Sequence, residues 1–224
     1  MPILASAPRA ILFDFDYTLG DSSPAAVACL RYALRGLGLP DRDPAACART
    51  IGLALPAALV ALAGPENAHL TAEFHRLFME RADEVMVAWT SLYPFTAGLL
   101  STLRTRDIRV GIVSNKEAFR IRGILDRFGL TGLVDTIVGA GDVADPKPAP
   151  DALLLCLERL GADRGHAVYV GDNLVDGQAA AAAGIPFVAV TTGHTGADDF
   201  SSYEPLAIFP DASGVLELLD GRNA

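Results

Sequence analysis

Six short apolar runs limit what this chain can become: AILFDF (10–15), RVGIV (109–113), VDTIVG (134–139), AVYVG (167–171), PFVAV (186–190) and LAIF (206–209). A run that is apolar at nearly every position suits a strand covered on both faces, and such strands belong to parallel sheets. Parallel neighbours need a crossover, and the helical stretches between these runs supply it. The pattern predicts an α/β protein with a doubly wound parallel sheet. The helices carry ordinary boundary signals: DALLLCLERLG follows Pro148 and Pro150 and stops at Gly161, and GQAAAAAG ends at Gly184. Five consecutive alanines allow a close helix-on-sheet contact.

The rhythm breaks after the first run. Residues 21–90 hold no convincing strand but several helical segments, PAAVACLRYALRGLG, LPAALVALAG and NAHLTAEFHRLFMERADEVMVAW. That is too much for a connecting loop, so it reads as an inserted small helical domain, hinged near Gly20 and again near SLYPFTAG. The expected division is 1–20 with 91–224 for the α/β core and 21–90 for the insert. The polar segment 191–205, TTGHTGADDFSSYEP, reads first as a mobile loop and second as the lining of a site.

Composition excludes several classes. The net charge of −9 argues against nucleic acid as a partner, since phosphate backbones call for a clustered basic face. No apolar run approaches the ~18 residues of a membrane span, and MPILASAPRA lacks the build of a signal peptide, so cytoplasmic residence is expected. Cys29, Cys47 and Cys156 are odd in number and far apart, and read as small buried hydrophobes. Eighteen residues are basic, yet the lysines are just Lys116 and Lys147, which makes each worth separate attention.

The chemistry-bearing residues fall at strand ends. Asp14 and Asp16, two apart, project together at the end of the first strand, where two like charges repel unless a cation or proton lies between them. Ligands of an open α/β sheet bind beyond the carboxyl ends of its strands. A second acid pair, Asp172 and Asp176, follows AVYVG; Asp176 reads either as a helix N-cap or, with the others, as part of a hard-cation site for Mg²⁺. Ser114 and Asn115 end the second strand at a helix start, a natural phosphate cradle or an ordinary cap. Lys147 lies in VADPKPAPDA, where three prolines hold the loop extended and suit a fixed cation for an anionic substrate.

Taken in order, DFDYTLGDS, VSN, DPKPAPD and GDNLVD resemble the four motifs of the haloacid dehalogenase-like hydrolase superfamily, over about residues 9–190. The helical insert resembles that superfamily's small cap, and YPFTAGLLSTLR resembles the cap-to-core return of its phosphoglycolate-phosphatase-like branch. The resemblance implies an Asp14 nucleophile that forms an aspartyl-phosphate, and Asp16 as general acid and then base, held near Thr18. It implies Mg²⁺ on Asp14, the Asp16 carbonyl and Asp172, with Asp176 holding metal-bound water or orienting Lys147. Ser114, Asn115 and Lys147 would grip the phosphoryl oxygens. The expected activity is hydrolysis of a small phosphate monoester, phosphoglycolate first, by a monomer or homodimer. Asp16 disfavours a dehalogenase, whose halide leaves unprotonated. The absence of lysine from 21–90 disfavours phosphonate cleavage. A phosphosugar mutase and a non-catalytic phosphate-binding module remain as alternatives. Within the insert, Arg49 is a candidate for a substrate carboxylate, though more readily an ordinary surface arginine. His69 and His75 read as surface residues and Trp89 as packing at the domain boundary. One residue departs from the family pattern: Tyr17 stands where glycine is usual, and Gly20 is expected to supply the lost flexibility.

Overall fold

The computed structural model describes residues 7–220, so most of MPILASAPRA, on which the leader reading rests, lies outside the described part. The elements run in the order β1 (Ala10–Phe13), β2 (Gly20–Asp21), α1 (Ser23–Gly36), α2 (Pro44–Ala48), α3 (Leu55–Ala63), α4 (Thr71–Trp89), β3 (Ser91–Leu92), α5 (Thr96–Thr105), β4 (Arg109–Glu117), α6 (Ala118–Arg127), β5 (Thr136–Ala140), α7 (Asp151–Leu160), β6 (Ala167–Gly171), α8 (Leu174–Ala183), β7 (Phe187–Val190), β8 (Ala207–Phe209) and α9 (Val215–Leu219). The chain divides into two compact units, one running up to Gly20 and resuming at Leu92, the other Asp21–Ser91. It passes between them at β2 and β3, which pair as a short ribbon that the sequence pattern did not reveal.

The larger unit is built on a six-stranded sheet in the order β5-β4-β1-β6-β7-β8, with every described pairing parallel. β1 lies at its centre, with Ala10 opposite both Arg109 of β4 and Ala167 of β6. The doubly wound α/β fold is therefore present. Successive strands run outward from β1 on one side and then cross to the other, and this reversal opens a crevice at the carboxyl ends of the central strands. Leu12, Val113, Val138, Tyr169 and Ala189 pack on Leu153, Cys156 and Leu160 of α7 and on Ala179, Ala180 and Ala183 of α8. A Cβ at Gly111 would stand 2.4 Å from Cys156 Sγ, so the glycine is what lets α7 approach β4. On the opposite face Ile11, Phe13, Val110 and Ile112 are equally buried, as are Leu99, Leu100 and Leu103 of α5 and Ile121, Ile124 and Leu125 of α6.

The segment 191–205, read first as mobile, is anchored. It contains a 3-10 turn over Ala197–Tyr203, whose Phe200 is fully buried with its ring 5.9 Å from Phe187. The three cysteines are buried and none is in a disulfide among the described residues.

The smaller unit is helical. Its core joins Cys29, Leu30 and Leu34 of α1 with Phe74, Leu77, Phe78 and Met86 of α4, and Gly36 leaves space for Leu77, which would sit 2.8 Å from a Cβ there. Arg49, His69 and His75 are exposed. Trp89, expected to pack at the boundary, is instead 47% exposed with the Arg81 guanidinium 5.5 Å over its ring. No described helix is long and apolar enough to cross a membrane.

Candidate active site

β1 delivers Asp14 to the end of the central strand. The Asp14 amide donates to the Val170 carbonyl of β6 at 2.9 Å, so the residue continues the strand's register. The chain then closes on itself around one acceptor: the Phe15 carbonyl receives the amides of Thr18 (3.3 Å), Leu19 (2.9 Å) and Gly20 (3.1 Å). This turn needs a residue in the left-handed region, and that residue is Tyr17, at φ 59°. The flexibility expected of Gly20 is not what accommodates Tyr17, because Gly20 is not among the described glycines of positive φ. A left-handed non-glycine residue costs ~1–2 kcal/mol, and tertiary contacts hold it. The Thr192 hydroxyl donates to the Tyr17 carbonyl, and His194 Nε2 lies 3.3 Å from the Tyr17 hydroxyl with the rings edge to face at 5.1 Å.

Three buried carboxylates converge here. Asp14, Asp172 and Asp176 each offer an oxygen within 4.8 Å of the others. Lys147, 2% exposed, sends its ammonium among them, with Nζ 2.6 Å from Asp176 Oδ1, 2.8 Å from the Tyr169 hydroxyl and 3.3 Å from the Val113 carbonyl. Nζ also stands 3.0 Å from Asp14 Oδ1 as an ion pair out of hydrogen-bonding alignment. That buried oxygen has no hydrogen bond among the described residues.

Charge follows from this packing. Burial foremost pushes the Asp14 carboxyl up to about 7, against the pull of Lys147, while Asp176 and Asp16 add to the rise. Burial also pushes Asp172 well above the usual carboxylate range, with Asp176 and Asp14 adding to it. For Lys147 burial opposes the charge, but Asp14 and Asp176 outweigh it and raise the ammonium above its ordinary value. Three carboxylates and one ammonium leave two excess negative charges in a buried space, an arrangement that calls for protons or a cation. With Asp14 Oδ1 unsatisfied and all donors being oxygens, the residues fit a hard divalent cation.

The other expected residues surround this cluster. Thr18 donates its hydroxyl to Asp172 Oδ1 at 3.2 Å. Asp176 is the N3 residue of α8, in a capping box with Asn173. Its Oδ2 accepts the Asn173 amide at 3.0 Å, while its Oδ1 takes Lys147 and Tyr169, so capping and lysine placement coexist in one side chain. Ser114, expected at a strand end where a helix begins, is instead buried inside β4, which runs on to Glu117 before α6 starts; its Oγ lies 3.4 Å from the Lys116 amide. The Asn115 side chain, expected to face phosphoryl oxygens, instead exchanges two hydrogen bonds with the Lys147 backbone, Nδ2 to the carbonyl (3.1 Å) and the amide to Oδ1 (3.0 Å). The Asp16 side chain lies outside the three-carboxylate cluster and accepts from Lys116 Nζ at 2.6 Å.

Sequence reading missed three features. Tyr169 looked like a strand aromatic, but burial and the facing Asp176 and Asp14 hold its hydroxyl well above the ordinary value, keeping it a donor to Asp176 at 2.8 Å. Lys116 stands out in the sequence by its rarity alone, and nothing there points to its pairing with Asp16. Gly193 lies against Asp172: a Cβ there would fall 1.9 Å from Oδ2. The polar tip within AVYVG and the scarcity of lysine were the available signals.

The family profile of the haloacid dehalogenase-like hydrolases matches residues 11–190. Phosphoglycolate phosphatase of Rhodospirillum rubrum is 33% identical over 220 residues, covering 95% of this chain and 91% of its own. That of Yersinia pestis is 30% identical over 224 residues, covering 96% and 97%. The crystal structure of a haloacid dehalogenase-like hydrolase from Bacteroides fragilis, 38% identical, superposes with a TM-score of 0.89 over 93% of this chain and 99% of that one.

Proposed function

Since this chain belongs to the haloacid dehalogenase-like hydrolases, we propose that it is a phosphatase that moves the phosphoryl group of a small monoester, phosphoglycolate first, to Asp14 and then to water. The relatives that are phosphoglycolate phosphatases support the substrate. The observation that carries the mechanism is Asp14 Oδ1, a buried carboxylate oxygen at the end of the central strand that is held beside a fixed ammonium and accepts no hydrogen bond among the described residues.

Asp14 attacks phosphorus, the bond from phosphorus to the alcohol oxygen breaks as the carboxylate–phosphorus bond forms, and Asp16 gives that oxygen its proton. Asp16, now anionic, takes a proton from the water that cleaves the aspartyl-phosphate. Lys147 and Ser114 meet the phosphoryl oxygens, with Lys147 locked by Asp176, Tyr169 and Asn115 so that little reorganises during transfer. Asp14, Asp172 and the Asp16 carbonyl would hold Mg²⁺, with Thr18 orienting Asp172. When bound, the ion shields the nucleophile from the negative phosphate it attacks. Asp176, engaged at both oxygens, serves chiefly to hold Lys147.

Assay against phosphoglycolate, sugar phosphates, nucleotides and pyrophosphate with Mg²⁺ tests the reading. Asp14→Asn is expected to lower turnover by at least ~10³-fold, the scale of losing a nucleophile. Near wild-type activity in that variant would contradict an aspartyl nucleophile.

A further inference from the structure

The residues of the proposed mechanism leave Lys116 without a task, yet the fold fixes it with some care. It is one of two lysines among eighteen basic residues, and its side chain is 6% exposed. The ammonium lies 2.6 Å from Asp16 Oδ1 and 5.3 Å from the centre of the Phe15 ring, a pairing of salt bridge and cation–π contact. Its backbone is placed as deliberately. β4 slips register relative to β5 between Val113 and Glu117, and a Cβ on Gly139 of β5 would come within 2.5 Å of the Lys116 carbonyl. The bare glycine is what lets β4 carry Lys116 to this point. Taking an ammonium out of water carries a desolvation cost that one pairing need not repay, so packing alone does not account for a lysine here.

Its position does. Asp16 stands where the leaving oxygen receives its proton, so the charge beside Asp16 faces the leaving group and not the phosphoryl group, which belongs to Lys147. We propose that Lys116 is a specificity residue that binds a carboxylate carried on the carbon next to the ester oxygen, and that the site thereby selects phosphate esters of small 2-hydroxy acids. The assignment rests on the phosphatase reading with Asp16 as the acid. In an ester of this class the carboxylate carbon is two bonds from the ester oxygen, so an oxygen within hydrogen-bond reach of Asp16 carries its carboxylate to the neighbouring ammonium. An ammonium offers three donors and accommodates a second acceptor beside Asp16. An ester whose alcohol is neutral gains nothing from this charge.

The test compares phosphoglycolate with ethyl phosphate, which has the same chain length but no carboxylate, in wild type, Lys116→Gln and Lys116→Arg. In wild type kcat/KM for phosphoglycolate is expected to exceed that for ethyl phosphate by about ten- to a hundredfold, the range of one charge-assisted hydrogen bond. Lys116→Gln should lower both values through Asp16 but bring their ratio close to one, whereas Lys116→Arg, which keeps the charge and guards against a variant that does not fold, should keep most of the preference. A proportional fall for both esters in Lys116→Gln, or equal turnover of both by wild type, would overturn the assignment and leave the phosphatase reading standing. Inactivity of wild type towards every monoester would overturn both.

Discussion

Metal-free protein should lose stability as pH rises, and Asp14→Asn should remove the share of that loss that belongs to Asp14, leaving the share of Asp172, which burial also raises. Burial, with Lys147 opposing it, raises the Asp14 carboxyl from 3.8 to about 7. Between those values the folded state keeps a proton that the unfolded chain has released, so the folded state binds more protons and stability falls with rising pH. The contribution is fully present below about pH 4 and lost once pH passes about 7. The rise from 3.8 to about 7 corresponds to about 4 kcal/mol at about 1.36 kcal/mol per step of one in pKa. About 3 kcal/mol of it falls between pH 5 and 8, or roughly 6–12 °C in Tm for a chain of this size. Asparagine has no proton to lose. In chelator, thermal melts across this range should therefore show the wild type falling relative to Asp14→Asn by that amount. Saturating Mg²⁺ should flatten the wild-type curve, because an ion that binds the folded site takes the proton's place. Parallel curves for the two proteins in chelator would refute the reasoning, since they would mean that Asp14 titrates alike in the folded and unfolded chain.

Two further substitutions probe the surroundings of the cluster. Gly193→Ala would bring a methyl group to 1.9 Å from Asp172 Oδ2; the concentration of Mg²⁺ giving half-maximal activity should rise at least ~tenfold, on the scale of disturbing a ligand's support, and an unchanged value would mean that the loop yields freely. Tyr17→Gly relieves ~1–2 kcal/mol of left-handed strain but gives up a ring that is 92% buried as judged from its 8% exposure. Urea denaturation should show a net loss of about 1 kcal/mol, as a buried aromatic outweighs the strain, and a gain would show that the ring and its contact with His194 contribute less than the strain, since the Thr192 bond to the backbone carbonyl is kept in both proteins.

Much of the fold was open to sequence reading because parallel strands announce themselves as uninterrupted apolar runs, and AVYVG coincides with β6 to the residue. The acids were legible for a related reason: a carboxylate directly after such a run has few structural uses. The family motifs added order. What escaped depended on geometry that no periodicity encodes. RVGIV marks β4 only to Val113, and the slip of register beyond it decides that Lys116 meets Asp16. Tyr17 occupies a conformation that sequence rules assign to glycine, because Thr192 and His194, some 175 residues away in the chain, pay for it. Residues 191–205 looked mobile from their polarity, yet a single buried Phe200 fixes them. Asn115 shows the same limit: its position suggests a phosphate contact, while what its side chain meets is the backbone of Lys147, 32 residues further on.

The place of β1 at the middle of the sheet also matters while the protein is being made. Its two neighbours are Arg109–Ile112 and Ala167–Val170, so a ribosome must add more than a hundred and fifty residues before the second is available. At roughly 5–20 residues per second that is about ten to thirty seconds, during which an apolar strand with at least one edge open would invite pairing with another nascent chain. Asp14 and Asp16, set within ILFDFDYTL, act then as gatekeepers: unburied and ionised, they repel a second copy of the same segment. The carboxylates proposed for catalysis thus guard the newborn strand before any substrate arrives.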